Sequence, residues 1–554
     1  GCTMTLRKSI LLLLSLGTIA ALLACGSSSH KKTTTPPPGP PLPDGTYVFS
    51  QSGTDTNDYS PYYVSGAFTV ASGAITGGEQ DFTDFVSSDL FDQINPTGSS
   101  LATTADGNLQ ITLVTCAGAV CTSTDDNIGP SGNGTETING TLLPLSTTSR
   151  TFINEFDAWA SGSGELDTQS SVAALSGGYA FVLGGWDFNG DPLSVGGILN
   201  VSAGSILPAG STFDLNDPSK PTLVEGGAFT GASSVTAAPD TFGRVTFSID
   251  PTNATGINSL VVVGYTVDGN RITLLEGFGD NLGGTEGGVA LSQSNGTVTT
   301  GTFTAANAAG TYVIGLNGYD TGFDVLQIVN QLTLTGTAVT GFVDFNDLVS
   351  SSVSISPDPI TAATYTVDAA GAGDVTIAGI TDGSGVNYNL HLYLDGNGHA
   401  LAISTDATDA LAGVGFTQGA GPYAFSGAYG VDVTGWDFNY FGEFDGVGPV
   451  TAAASGGTFS GDLDVNWLNL QTAPLEVTNN SLTGTFVTTG TGASNGIFAG
   501  GSITGIDMTT CPAFTSGGTC TADAFSYYLI DAAGDNIFIE TDLFQATPGV
   551  AAQQ

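Results

Sequence analysis

Aspartates recur at fixed places along this chain, and the chemistry they offer is oxygen coordination of a hard cation. Asp55, Asp187, Asp320 and Asp437 each end the pattern G-x-Y-x5-G-x-D, which occurs four times. A second acidic element follows each: Asp81 and Asp84 in DFTD, Asp214 and Asp217 in DLND, Asp344 and Asp347 in DFND, and Asp464 in DVNW. Calcium takes about six to eight oxygens, and carboxylates converging from neighbouring loops supply them. Ca2+ is therefore the candidate cofactor. The competing reading is local, because Asp and Asn side chains bond nearby backbone N–H groups and favour turns. The stretch Gly185–Asp191, GWDFNGD, only partly matches a linear calcium loop and lacks the distal bidentate Glu.

A second column is cationic. Arg150, Arg271 and His399 each follow the penultimate hairpin turn of a repeat, with Asn536 in the fourth. Two readings stand: a cation neutralising a carboxylate at a barrel mouth, or a ligand-orienting charge in a barrel cavity. Trp186 and Trp436 share one column, both in WDFN. Exposed, they stack on sugar rings; packed, they are mouth aromatics. The turn DGNG predicts that Leu394 pairs with His399 and His391 with Ala402. The two histidines then lie on opposite faces and do not form a metal pair. No Ser/His/Asp, Cys/His or phosphate-loop pattern appears. An excess of acids makes any carboxylate pair uninformative, so no enzyme is expected.

The elements that must position these residues are strands. The tyrosines of the repeated pattern, Tyr47, Tyr179, Tyr312 and Tyr429, are 132, 133 and 117 residues apart. A Gln closes each unit, at Gln169, Gln293, Gln418 and Gln553. Such a period is a domain and not a solenoid turn. The expected units are 45–171, 172–305, 306–420 and 421–554. Thr, Val, Ile, Tyr and Phe alternate with small or polar residues between Gly/Asn/Asp turns, which is the strand signature. Tyr and the residues two and four later share a face: Tyr47/Phe49/Gln51, Tyr179/Phe181/Leu183, Tyr312/Ile314/Leu316 and Tyr429/Val431/Val433. Three of these sets are fully apolar, so this face is the expected inner one.

The fold class is all-β: four tandem antiparallel meanders of about eight strands, each a closed or nearly closed barrel, with a two-sheet sandwich as runner-up. In the first unit strands are expected near 46–52, 62–71, 74–82, 100–105, 108–115, 140–146, 151–157 and 163–169. Regular lipid-facing bands with aromatic girdles are missing, which argues against a membrane-spanning barrel.

Charge and leader bound the setting. The chain has 554 residues, with 51 Asp+Glu against 8 Lys+Arg and a net charge of −43. Such a surface excludes nucleic acid, which needs cations to replace phosphate counterions. Four of the bases, Arg7, Lys8, Lys31 and Lys32, precede the first acid, Asp44. Arg7 and Lys8 lead into the apolar run Ile10–Leu23, too short for a comfortable span, and then Cys25. Leu22-Leu23-Ala24-Cys25 resembles the lipobox of bacterial lipoproteins, with Leu23 bulkier than the small residue common there. The resemblance implies cleavage before Cys25, lipidation of its thiol, and, with Gly26 following, release to the outer membrane. Residues 1–25 are then leader and signal helix. Residues 26–44, rich in Ser, Thr and Pro, form a disordered, semi-rigid tether. The local pairs Cys116/Cys121 and Cys511/Cys520 are expected disulfides of an exported protein.

Taken whole, the chain resembles the Gly/Thr-rich tandem β-repeat surface lipoproteins of Gram-negative bacteria whose units open with GTYxF-like strands. That resemblance implies location and architecture and carries no activity or site residue. The expected function is a lipid-anchored, extracytoplasmic, acidic surface protein with a non-catalytic structural or adhesive role and a protein or glycan partner. The alternative is an array of small-ligand-binding barrels, which requires open interiors with a polar anchor.

Overall fold

The computed structural model describes residues 42–56, 59–84, 90–104, 107–117, 134–141, 150–219, 224–252, 259–277, 284–293, 299–347, 352–353, 357–383, 385, 387–437, 442–453, 455–468, 475–489, 493–506, 522–542 and 545–553. Cys25, Cys121, Cys511, Cys520 and the tether up to residue 41 lie outside these residues; Cys116 is buried at the end of strand Leu109–Ala117.

Nearly every described element is a strand, and the strands form four antiparallel sheets, each drawn from one repeat. Three close into eight-stranded antiparallel barrels, and one is ring-like without forming a barrel. In all four the first strand pairs with both the second and the last. In the first unit Gly45–Asp55 lies between Pro61–Ala71 and Ala160–Gln169. The expected strand at 140–146 is instead Thr135–Gly140, and a short strand, Leu90–Ile94, is added.

The repeated pattern has a mechanical basis. The Tyr side chains point inward and cap the core: Tyr47 Oη donates to the Pro43 carbonyl at 2.8 Å and Tyr312 Oη to that of Ala308 at 3.1 Å. The second Gly of the pattern lies where the first and last strands meet. A Cβ on Gly53, Gly185 or Gly318 would stand 1.9, 2.0 or 2.1 Å from a carbonyl oxygen of the closing strand, so only glycine permits the closure. The expected inner faces are inner: Tyr47 and Phe49, Tyr179, Phe181 and Leu183, Tyr312, Ile314 and Leu316, and Tyr429, Val431 and Val433 belong to four separate cores. Those cores fill the interiors with packed Leu, Ile, Val, Phe and Tyr.

The four units pack into one compact body. At each junction the early strands of one unit lie against the late strands of the next, and the fourth packs in the same sense on the first. Such head-to-tail contacts close into a ring.

Candidate functional site: the junctions and the axial cavity

The repeated acids act at the junctions. Asp81 Oδ2 accepts from Tyr265 Oη at 2.5 Å, Asp214 Oδ2 from Tyr393 Oη at 2.9 Å, and Asp344 Oδ2 from Tyr528 Oη at 2.7 Å, each across a unit boundary. At the closing junction Asp464 Oδ2 accepts instead from the amides of Asn108 and Asn139, both at 3.0 Å. The Asn of the same element also crosses. The Asn216 amide donates to the Ser404 and Asp409 carbonyls, that of Asn346 to Glu540, Asp542 and Gln545, and that of Asn466 to Asp157 and Ala160. The closing glutamines do likewise: Gln169 reaches the Thr266 carbonyl, Gln293 that of Leu394, and Gln418 that of Leu529. Each of these carbonyls follows a junction tyrosine.

Apolar contact differs between junctions. Val48 and Ala67 meet Val263, Val267 and Leu275; Val182, Ile198 and Leu291 meet Tyr393, Leu401 and Ile403; Val313 and Val329 meet Ile497, Ile537 and Ile539. Among the described residues the closing junction has no such cluster. It is polar: Ser161 Oγ donates to Asp445 Oδ2 at 2.6 Å, and the Asn154 amide reaches the Asp445 and Asp464 carbonyls. Burial raises the Asp445 carboxyl to about 7, against bonds from Ser161, Thr434 and Ser163 that lower it.

Charge compensation also varies. Arg244 and Asp374 occupy one register position, opposite Tyr265 and Tyr393 respectively. Arg244 pairs with Asp81 through two bonds of 2.6 and 2.7 Å. Asp374 instead confronts a second acid, Asp214, with His391 Nδ1 between them at 3.1 and 3.3 Å. Burial alone would lower that imidazole; the two carboxylates override it and raise it to about 10.

The outer faces of the four first strands line a space on the ring axis. A cavity of about 800 Å³ is bounded by Arg150, Arg271, His399, Asp432 and Asp535, with walls of Phe152, Leu291, Val329, Phe416, Ile537 and Val550. A second, of about 390 Å³, adjoins it and runs to Trp186, Tyr319 and Trp436. The cationic column thus converges, outside the barrels and not within them. Arg150 bonds Glu165 and Asp167 at 3.2 and 3.3 Å, and Arg271 of the next unit bonds the same two acids. His399 Nδ1 lies 2.6 Å from Asp395 Oδ2. In the fourth unit Asp535, and not Asn536, lines the cavity; Asn536 is fully buried. Asp432 Oδ1 is buried without a hydrogen-bond partner, and desolvation, with Asp445 and Glu165 nearby, holds that carboxyl well above the usual range.

The far end is aromatic. Trp186 meets Tyr319 with centroids 4.2 Å apart and stacks on Phe323 at 6.1 Å. Tyr59, Phe188 and Phe323, on the turns after the first strands of units one to three, are 52, 77 and 52% exposed. Tyr59 and Phe323 hold left-handed backbone, φ 60° and 68°, which costs a side-chain-bearing residue about 1–3 kcal/mol.

The remaining sequence candidates sit in or near these turns. Asp187 Oδ1 accepts from the Asn189 and Asp191 N–H groups, and Asp320 Oδ1 from those of Gly322 and Asp324. Asp217 accepts from Ser219. Asp55 and Asp84 lie at one end of the first unit, while Asp81 sits three residues deeper, facing its neighbour. Asp347 and Asp437 end their strands. Two clusters of three acids or histidines converge among the described residues: Asp214/Asp374/His391 and Asp523/Glu540/Asp542. Only Asp214 is a sequence candidate. His391 pairs with Ile403 and Leu394 with Ala400, one residue off the predicted register, so the two histidines share the outer face rather than opposite ones, each with its own carboxylate partner.

No family model matches the chain, and no curated protein does. Two solved mutants of the vaccine antigen Transferrin Binding Protein B from Haemophilus parasuis Hp5 align at 12 and 11% identity. They cover 95 and 96% of this chain and 98 and 99% of their own, with TM-scores of 0.15 and 0.16. Scores so low carry no argument about fold or function.

Proposed function

We propose that this is a lipid-anchored, extracytoplasmic, non-catalytic surface protein whose four-unit ring is a rigid adhesive scaffold for glycan chains. One observation carries the reading: exposed aromatics on equivalent turns, Tyr59, Phe188 and Phe323, surround one end of the ring. The chain enters at the other end, where Pro43 accepts from Tyr47. Exposed aromatic patches mark binding surfaces, and rings beside turn Asp and Asn residues suit sugars, which offer apolar faces and hydroxyls together.

Retention on immobilised polysaccharides tests this. Wild-type protein is retained, and the double variant Phe188→Ser/Phe323→Ser elutes early with unchanged melting. Equal retention of both rejects the aromatic end as the binding face.

A second reading is favoured by the axial cavity. Its apolar walls and the buried Oδ1 of Asp432 suit a small amphiphile with a hydrogen-bonding head. An apolar fluorescent probe should bind the wild type and be excluded by Thr434→Trp, since Thr434 lines both cavities. An unaffected probe signal removes this reading.

A further inference from the structure

The interior of the fourth unit holds three carboxylates at one end. Asp523 lies in strand Ala522–Leu529, Glu540 ends Asn536–Glu540, and Asp542 follows two residues later. One ligand oxygen from each lies within 4.8 Å of the other two. Asp523 and Glu540 are buried, and Asp542 is partly open. Both carboxylate oxygens of Glu540 are buried without a hydrogen-bond partner.

The first unit repeats this arrangement with one difference. Ile138 pairs with Glu155 as Phe525 pairs with Glu540, so Glu136 corresponds to Asp523. Asp157 Oδ2 accepts the Thr137 N–H at 3.1 Å, as Asp542 Oδ2 accepts that of Ala524 at 2.9 Å. In the first unit, however, the Gln51 amide donates to Glu155 Oε2 at 3.0 Å. The corresponding first-strand residue of the fourth unit is Val433, which has no donor. One unit meets its glutamate with an amide from the first strand; the other has an apolar side chain at that position.

We propose that Asp523, Glu540 and Asp542 bind one Ca2+ in the fourth unit. All donors are carboxylate oxygens, the choice of a hard cation. Two oxygens bound to one Ca2+ at about 2.4 Å lie at most about 4.8 Å apart, and these three fall within that limit of one another. The partly open Asp542 gives the ion a way in and leaves room for water to complete its shell. The site lies at the same end of its barrel as the aromatic turns, but it uses none of their exposed aromatics and no residue lining either cavity, so it holds or fails independently of the binding role proposed above.

Calorimetric titration and thermal melting of the full chain, first stripped with chelator, test the site. Wild type should take up one Ca2+ per chain with a Kd on the order of 10⁻³ M or tighter and melt higher with the ion. Glu540→Gln should weaken binding at least tenfold. Val433→Gln, which supplies the amide that Gln51 supplies in the first unit, should weaken it as well while keeping the far-ultraviolet spectrum of a folded β protein. Absence of heat and of any melting shift in the wild type overturns the proposal. So does undiminished binding by both variants. An equal response to Mg2+ overturns the assignment to calcium.

Discussion

Tyr393 Oη donates to Asp214 Oδ2 across the boundary between the second and third units, and the same bond joins Tyr265 to Asp81 and Tyr528 to Asp344. A landmark that reads as a cation-binding acid is thus, in three places, half of a junction. The ring follows from repeating that junction, and the fourth copy closes it with asparagines in place of tyrosine.

Tyr528→Phe removes the donor and leaves the phenyl ring in place. Denaturant melts should show a loss of about 1–3 kcal/mol, the cost of a buried acceptor losing a partner. Tyr265→Phe should cost less, because Arg244 still bonds Asp81 twice.

Arg244→Met strands Asp81, which is fully buried, with Tyr265 as its remaining cross-junction donor. Breaking a buried pair by removing one partner costs about 3–5 kcal/mol, and the 24% exposure of Arg244 puts this case at the lower end. The double variant Arg244→Met/Asp81→Leu should recover most of that loss in the same melts.

Asn346→Leu takes one amide away from three carbonyls of the fourth unit, those of Glu540, Asp542 and Gln545. A loss of about 2–3 kcal/mol is expected, and hydrogen exchange should rise first along Asn536–Glu540.

Stability should fall as pH rises from about 4 to 8. Burial raises Asp374 and Asp409 to about 6, Asp445 to about 7 and Glu79 to about 8, the last with help from Asp240. Between the ordinary carboxylate range and these values the folded chain holds more protons than the unfolded one. Raising the pH there favours unfolding, and each contribution stops changing above its folded value. Melting temperature against pH checks this, and Asp445→Asn should flatten the segment below pH 7. A melting temperature that climbs from pH 4 to 8 contradicts it.

The sequence makes the strands, the inner faces and the repeated positions legible, because hydrophobic alternation and turn residues act within a few residues of one another. It does not reveal what the acids face. Asp214 and Tyr393 are 179 residues apart, and Asn108 and Asp464 are 356 apart. One clue was in plain sight: Gln51 breaks an otherwise apolar column, and it does so to bond Glu155 inside the first unit. Turn geometry misled by one residue at two hairpins, replacing Asp535 with Asn536 at the cavity and offsetting His391 from Ile403. The cavity itself belongs to no single unit, so no pattern within one repeat encodes it.

Small-angle X-ray scattering of the chain from residue 42 onward tests ring closure most directly. A closed ring of four units has a radius of gyration of about 25–30 Å, whereas four such units strung in a line have one of about 40 Å. The ring predicts the smaller value, with a scattering profile unchanged by salt. A radius near 40 Å would show that the fourth unit does not meet the first.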